Sequence, residues 1–294
     1  MEIIDAQLHE VGPRLTWPDP AQIRRAVTTE LTLGWMDAAG VDIAVVNPHD
    51  VAWADEAASL FPDRLRLVIS FRDPAAPAAA GTVRDAASRP NVVAGRCVLG
   101  KTLKDPDGRQ GAGLLTSGAL EPVFLACEEQ GLPLFLFVSG MVPLAEPIAR
   151  AHPGLTLIID HLGIQQPPLA ARQDLDLAPL LALAGYPNVA VKLCGAPVFS
   201  AGEYPYADVW PRLRPLLDAF GAARVMWASD ISRFAGRIGW DNAYPQARPW
   251  YQGKHSYAES LHMIRDTEAL SPAEKELILG GTARRVLRLG SRRP

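Results

Sequence analysis

A (β/α)8 barrel, in the α/β class, is the fold this sequence predicts, and three observations predict it. Eight short aliphatic runs recur along the 294 residues. Most are nearly continuously apolar, as parallel strands covered on both faces must be. Helical stretches alternate with them, and several close with glycine just before the next strand (Gly40, Gly131, Gly221), a signal that ends helices. The length suits one barrel of ordinary size, and no linker or low-complexity run divides residues 1–294, so one domain is expected. An open doubly wound sheet is the competing arrangement.

The elements follow in order. The first run, "EIIDAQLH", carries Asp5, Gln7 and His9 at alternate positions, which share a face in a regular strand. "VDIAVVN", "LRLVISF" and "NVVAGRCV" are strands two to four, with "LTLGWMDAAG" and "ADEAASLF" as helices among them. Residues 101–119 form a long connection after strand four. Its glycines fit neither G-x-G-x-x-G nor G-x-x-x-x-G-K-[ST], so it reads as a flexible surface loop before the helix "EPVFLACEEQG". "LPLFLFV", "LTLIIDH" and "NVAVKL" are strands five to seven, and the helix "YADVWPRLRPLLDAFG" leads to "RVMWAS", strand eight. A second long connection, residues 231–255, carries Phe234, Trp240, Tyr244, Trp250 and Tyr251, and the tail "LSPAEKELILGGTARRVLRLG" reads as a closing pair of helices. Residues 3–9 and 224–230 should be neighbours, because parallel strands buried on both faces lose their free edges only when the sheet closes.

Composition excludes several classes. Lys plus Arg is 29 against 32 for Asp plus Glu, a net charge of −3, which gives no electrostatic reason to expect nucleic acid or an anionic membrane. No apolar run reaches the roughly 18 residues of a membrane helix, and the N-terminus enters a strand without the pattern of a signal peptide. Cys97, Cys127 and Cys194 lie far apart, which fits buried thiols in a reducing compartment. A cytoplasmic enzyme acting on a small molecule is the expectation, with a homo-oligomer left open.

Polar residues at the ends of apolar strands cost desolvation unless they are paired or used. They are Asp5, Gln7 and His9 on strand one, Arg72 on strand three, Arg96 on strand four, Asp160 and His161 on strand six, Lys192 on strand seven and Asp230 on strand eight. Each alone has a structural reading, as a cap or an ion pair. Together, at the end of a barrel where sites are built, they make a candidate site. Ser139 in "FVSGM" lacks the flanking glycine of a nucleophile elbow and is set aside.

Five segments carry a resemblance. "IIDAQLH", "IIDHLG", "VKLCG", "MWASDISR" and "ILGGTARRVLRL", in that order over nearly the whole chain, resemble the amidohydrolase-related family of the amidohydrolase superfamily. The branch is the one holding 2-pyrone-4,6-dicarboxylate hydrolase and sugar lactonases. Metal-dependent members of that family end strand one in His-x-His, end strand five in His, and supply an Asp from strand eight. Those positions correspond here to Gln7 and His9 and to Asp230, with His161 as the strand-six histidine. Strand five offers Phe137, Val138 or Ser139 where its histidine belongs. Two of the four expected ligands are absent, and the branch includes hydrolases that work without metal.

The resemblance thus implies a lactone or cyclic carboxylated ester hydrolase with no cofactor. A single zinc or manganese ion on His9, His161 and Asp230 is the alternative. Asp230 would activate water, His161 and His9 would polarise the carbonyl, and Gln7 would donate to it or orient the substrate. Arg72, Arg96, Lys192 and Arg233 would hold a substrate carboxylate, with Trp240 and Trp250 covering it. A metal-dependent hydrolase or non-oxidative decarboxylase is one rival; a catalytically degenerate ligand-binding barrel is another.

Overall fold

The structure, a computed structural model, describes residues 1–10, 21–102, 105–164, 175–230 and 255–290. Among them, eight parallel strands pair in sequence order: β1 (Ile4–Leu8), β2 (Ile43–Val46), β3 (Leu65–Ser70), β4 (Val92–Val98), β5 (Leu134–Phe137), β6 (Leu157–Ile159), β7 (Val189–Cys194) and β8 (Val225–Ala228). Every predicted run is a strand, and β1, β2 and β5 to β8 are buried along their whole length. The sheet curls into a nearly closed barrel. Ile4, Val45, Phe135, Ile158 and Met226 fill its interior, and Ala283 and Val286 join the same cluster from the C-terminal helical run.

Between the strands lie α1 (Ala21–Ala39), α2 (Val51–Leu60), α3 (Ala79–Ala87), α4 (Arg109–Thr116), α5 (Glu121–Gln130), α6 (Glu146–Ala151), α7 (Ala178–Leu181) and α8 (Trp210–Phe220). Gly131 shows why the glycine signal works. It sits at φ +60°, where a side chain is strained, and lets the Leu132 N–H reach back to the Cys127 carbonyl at 2.9 Å. After α9 (Tyr257–Arg265), the closing pair is α10 (Pro272–Glu276) and α11 (Thr282–Val286), joined without a break by a π turn over Leu277–Gly281. Ser271 and Glu274 start this run with a reciprocal capping box. No described helix is long and apolar enough to cross a membrane.

Two local expectations need correction. The connection 101–119 is not all loop, because α4 lies within it. Gly111 of α4 packs its backbone against the Leu99 carbonyl, where a Cβ would collide, and the Asp105 carboxylate accepts the Gly111 N–H at 3.0 Å. Those glycines serve close packing.

The second correction concerns β1. Its register against β2 shifts between Asp5 and Leu8, so the alternation is broken and Asp5, Gln7 and His9 do not share one environment. Asp5 turns to the seam between β1 and β8. Its Oδ1 accepts the Ser229 N–H at 2.9 Å and the Gln7 N–H at 3.1 Å, and its Oδ2 accepts the Tyr257 hydroxyl at 3.1 Å. The Asp230 N–H donates to the Gln7 carbonyl at 3.0 Å. The first and last strands are thus neighbours, joined at this point partly through a buried carboxylate.

Burial pushes the Asp5 carboxyl up to about 6, against the hydrogen bonds from Ser229, Gln7 and Tyr257. Its folded value lies above the unfolded value of about 3.9. Its contribution to stability is therefore fullest below pH 4 and is lost as pH rises through 6. Asp5→Asn keeps the shape and the Oδ1 acceptor while removing the charge. It is expected to be more stable than the parent at pH 8, by on the order of 1–3 kcal/mol, with the advantage gone near pH 4. Urea denaturation at both pH values checks this.

Candidate active site

The floor of the site is an ion network inside the barrel. Lys192 of β7 is fully buried, its Nζ 2.6 Å from Asp160 Oδ1 and 2.6 Å from Gln7 Oε1, and 3.5 Å above the Phe135 ring. Arg96 of β4 donates from Nε to Asp160 Oδ2 at 2.8 Å. Burial alone would raise the Asp160 carboxyl, but the Lys192 ammonium and the Arg96 guanidinium outweigh it and hold it at about 2. A buried charge needs this kind of pairing.

Above the network stand the three side chains that the resemblance singled out, with Gln7 among them. His9 Nε2 lies 3.3 Å from Asp230 Oδ1, and His161 Nδ1 lies 3.5 Å from Asp230 Oδ2. Because Lys192 holds its Oε1, Gln7 points Nε2 at Asp230 Oδ1 and at His161 Nε2, each 3.5 Å away. The glutamine therefore offers N–H groups to the site. The backbone is left-handed at both strand ends: His161 and Leu162 follow β6 at φ +52° and +58°, and Asp230 follows β8 at φ +45°. Non-glycine residues there cost about 1–3 kcal/mol each and cluster at functional positions.

Of the three candidates for the strand-five position, Phe137 is the one that meets the site. Its ring lies edge-on to His161 with centroids 5.5 Å apart. The Ser139 hydroxyl donates instead to the Ile164 carbonyl. Burial pushes the thiols of Cys97 and Cys194 up and that of Cys127 to about 12, so all three stay protonated. Arg72 is exposed in the turn after β3. Arg233, Trp240 and Trp250 lie outside the described residues.

Sequence reasoning missed Glu10 and His49. Glu10 is buried directly after His9, and its carboxylate accepts the His49 N–H at 3.0 Å and the Asp50 N–H at 3.0 Å. Burial would raise this carboxyl, but hydrogen bonds and charge from His49 hold it at about 2. The His49 ring lies 4.7 Å from the His9 ring. The available signal was a His-Glu pair at one strand end with a histidine just past the end of the next strand.

The family's metal position is incomplete. His9, His161 and Asp230 offer three donors, but Gln7 turns nitrogen toward them and Phe137 presents a ring. A zinc site wants three or four N, O or S ligands around one point; His9, His161 and Asp230 would supply three, and Gln7 and Phe137 add no further nitrogen or oxygen lone pair directed there. A cavity of about 950 Å³ lies at the opposite end of the barrel near Asp42, Arg64, Arg66 and Arg284, at the starts of the strands. It has no part in this cluster.

His9, His161 and Asp230 thus meet at the C-terminal ends of the barrel strands. The chain belongs to the amidohydrolase family, whose description matches residues 4–289. It is 38% identical over 102 residues to L-fucono-1,5-lactonase of Burkholderia ambifaria; the match spans 33% of this chain and 34% of the lactonase. Among solved structures, a zinc-bound amidohydrolase from Burkholderia multivorans shares the fold at TM-score 0.68 and 20% identity, covering 98% of this chain and 99% of that one. A Pseudomonas putida protein provisionally assigned as a 2-pyrone-4,6-dicarboxylic acid hydrolase does so at 0.67 and 22%, covering 99% of each.

Removing one partner from the buried network should be costly. Asp160→Asn leaves Lys192 without its counter-charge and is expected to lose on the order of 3–5 kcal/mol of stability. Chemical denaturation of the variant against the parent measures this.

Proposed function

We propose that the whole chain is one catalytic domain that hydrolyses a small lactone or related cyclic carboxylated ester without a metal ion. The observation that carries this reading is the Lys192 contact to Gln7 Oε1. It turns the residue at a family metal-ligand position into an N–H donor beside Asp230. The likeness to a lactonase over a third of the chain supports the substrate class, and the buried cysteines support a cytoplasmic setting.

Asp230 takes a proton from water as the water oxygen bonds to the ester carbonyl carbon. Negative charge grows on the carbonyl oxygen and is met by the Gln7 amide N–H, while the His9 and His161 N–H groups orient the Asp230 carboxylate. A donor fixed in a dry site stabilises developing charge strongly. The ring C–O bond then breaks, and the leaving oxygen takes up the proton that Asp230 accepted. The product is an open hydroxy acid. Among the described residues, Arg96, anchored by Asp160, and exposed Arg72 are candidates to meet a substrate carboxylate. Lys192 acts on the site through Gln7.

The test is a screen of lactones and cyclic carboxylated esters with chelator-treated protein. Metal-free turnover should persist, and Asp230→Asn should lower kcat by about 10²-fold at unchanged fold. Activity that vanishes with chelator and returns with zinc or manganese would favour a metal-dependent hydrolase or decarboxylase. Near-normal turnover in the folded Asp230→Asn protein would remove Asp230 from the mechanism.

A further inference from the structure

We infer that the chain carries a divalent-cation site beside the catalytic cluster and sharing His9 with it, formed by His9 Nδ1, the Glu10 carboxylate and a ring nitrogen of His49, suited to zinc. The argument begins with His9. Its Nε2 faces Asp230 Oδ1 at 3.3 Å, and a carboxylate partner there requires that this nitrogen carry the proton. The lone pair of the neutral ring then lies on Nδ1. This atom is buried and has no hydrogen-bond partner among the described residues. A buried nitrogen without a partner costs free energy and calls for an explanation. Glu10 and His49 stand beside this ring, and one donor atom from each of the three residues lies within 4.8 Å of the others.

The chemistry suits a borderline cation. Two imidazole nitrogens and one carboxylate form a common zinc set, with water completing a tetrahedron. Ligand atoms in such a tetrahedron stand about 3.3 Å apart, given zinc–ligand distances of about 2.0 Å. Closure from within 4.8 Å therefore asks for a movement of about 1.5 Å or less. His49 can supply it, because its side chain is 46% exposed while Glu10 is held by two backbone N–H groups. The exposed ring also gives the ion its way in and leaves a position for water. Metal on Nδ1 would keep the proton on Nε2, the atom facing Asp230, so the site is compatible with metal-free hydrolysis and does not replace it.

This placement differs from the position that the family uses, and variants separate the two. Full-length protein stripped with chelator is titrated with zinc alone by calorimetry, and cobalt(II) absorption reports coordination geometry. Parent protein should bind one zinc per chain. His49→Ala should weaken binding by about tenfold or more, as loss of even an outer-shell partner typically costs 10–100-fold. Glu10→Gln should do the same, and His161→Asn, which removes a donor of the family's metal position but none of the proposed ligands, should change zinc affinity by less than about threefold. Melting temperature confirms that each variant is folded, and lactone turnover of stripped His49→Ala protein should match that of the stripped parent. No zinc binding to the parent, or loss of zinc in His161→Asn with retention in His49→Ala, would overturn the inference. Because zinc affinity is read apart from turnover, failure here leaves the hydrolase reading to its own test.

Discussion

The buried pair of Lys192 and Asp160 governs the rest of this site. Two opposite charges 2.6 Å apart inside the barrel cannot be separated without leaving one of them unpaired in an apolar interior. Arg96 fixes the second oxygen of Asp160, so the carboxylate has no freedom to turn. Lys192 also donates to Gln7 Oε1 at 2.6 Å. That contact orients the glutamine, which in turn decides whether the site presents an acceptor to a cation or a donor to an oxyanion.

Strain and pairing meet at the same level of the barrel. His161 and Asp230 adopt left-handed backbone conformations directly after β6 and β8, which aims both side chains at a common point. The Asp230 N–H is tied to the Gln7 carbonyl, so the residue that would act as base and the residue that would steady the oxyanion share a backbone bond. The seam carboxylate of Asp5 holds the same stretch from the other side. These contacts link barrel closure to site geometry, and neither can shift alone.

Much of the fold was legible in the sequence. Strands buried on both faces have to be nearly all apolar, and eight such runs could be counted directly. His9, His161 and Asp230 were legible because each is a polar residue placed where an apolar strand ends. Two features were not. The bulge in β1 depends on its pairing with β2, so the outward turn of Asp5 cannot be read from β1 alone. The partnership of Glu10 and His49 joins residues 39 positions apart, and neither has an unusual local context. The α4 glycines misled for a related reason: close backbone approach to Leu99 is a tertiary requirement that looks like loop composition.

The orientation of Gln7 is the claim on which the account turns, and Gln7→Glu tests it most directly. Glutamate has nearly the same size and keeps an oxygen for Lys192, but its second oxygen can only accept. If Gln7 serves as a donor to the developing oxyanion, the folded variant should lose about 10²-fold or more in kcat on a confirmed lactone, in line with removal of one oxyanion donor. Turnover equal to that of the parent, in protein shown to be folded and metal-free, would contradict it.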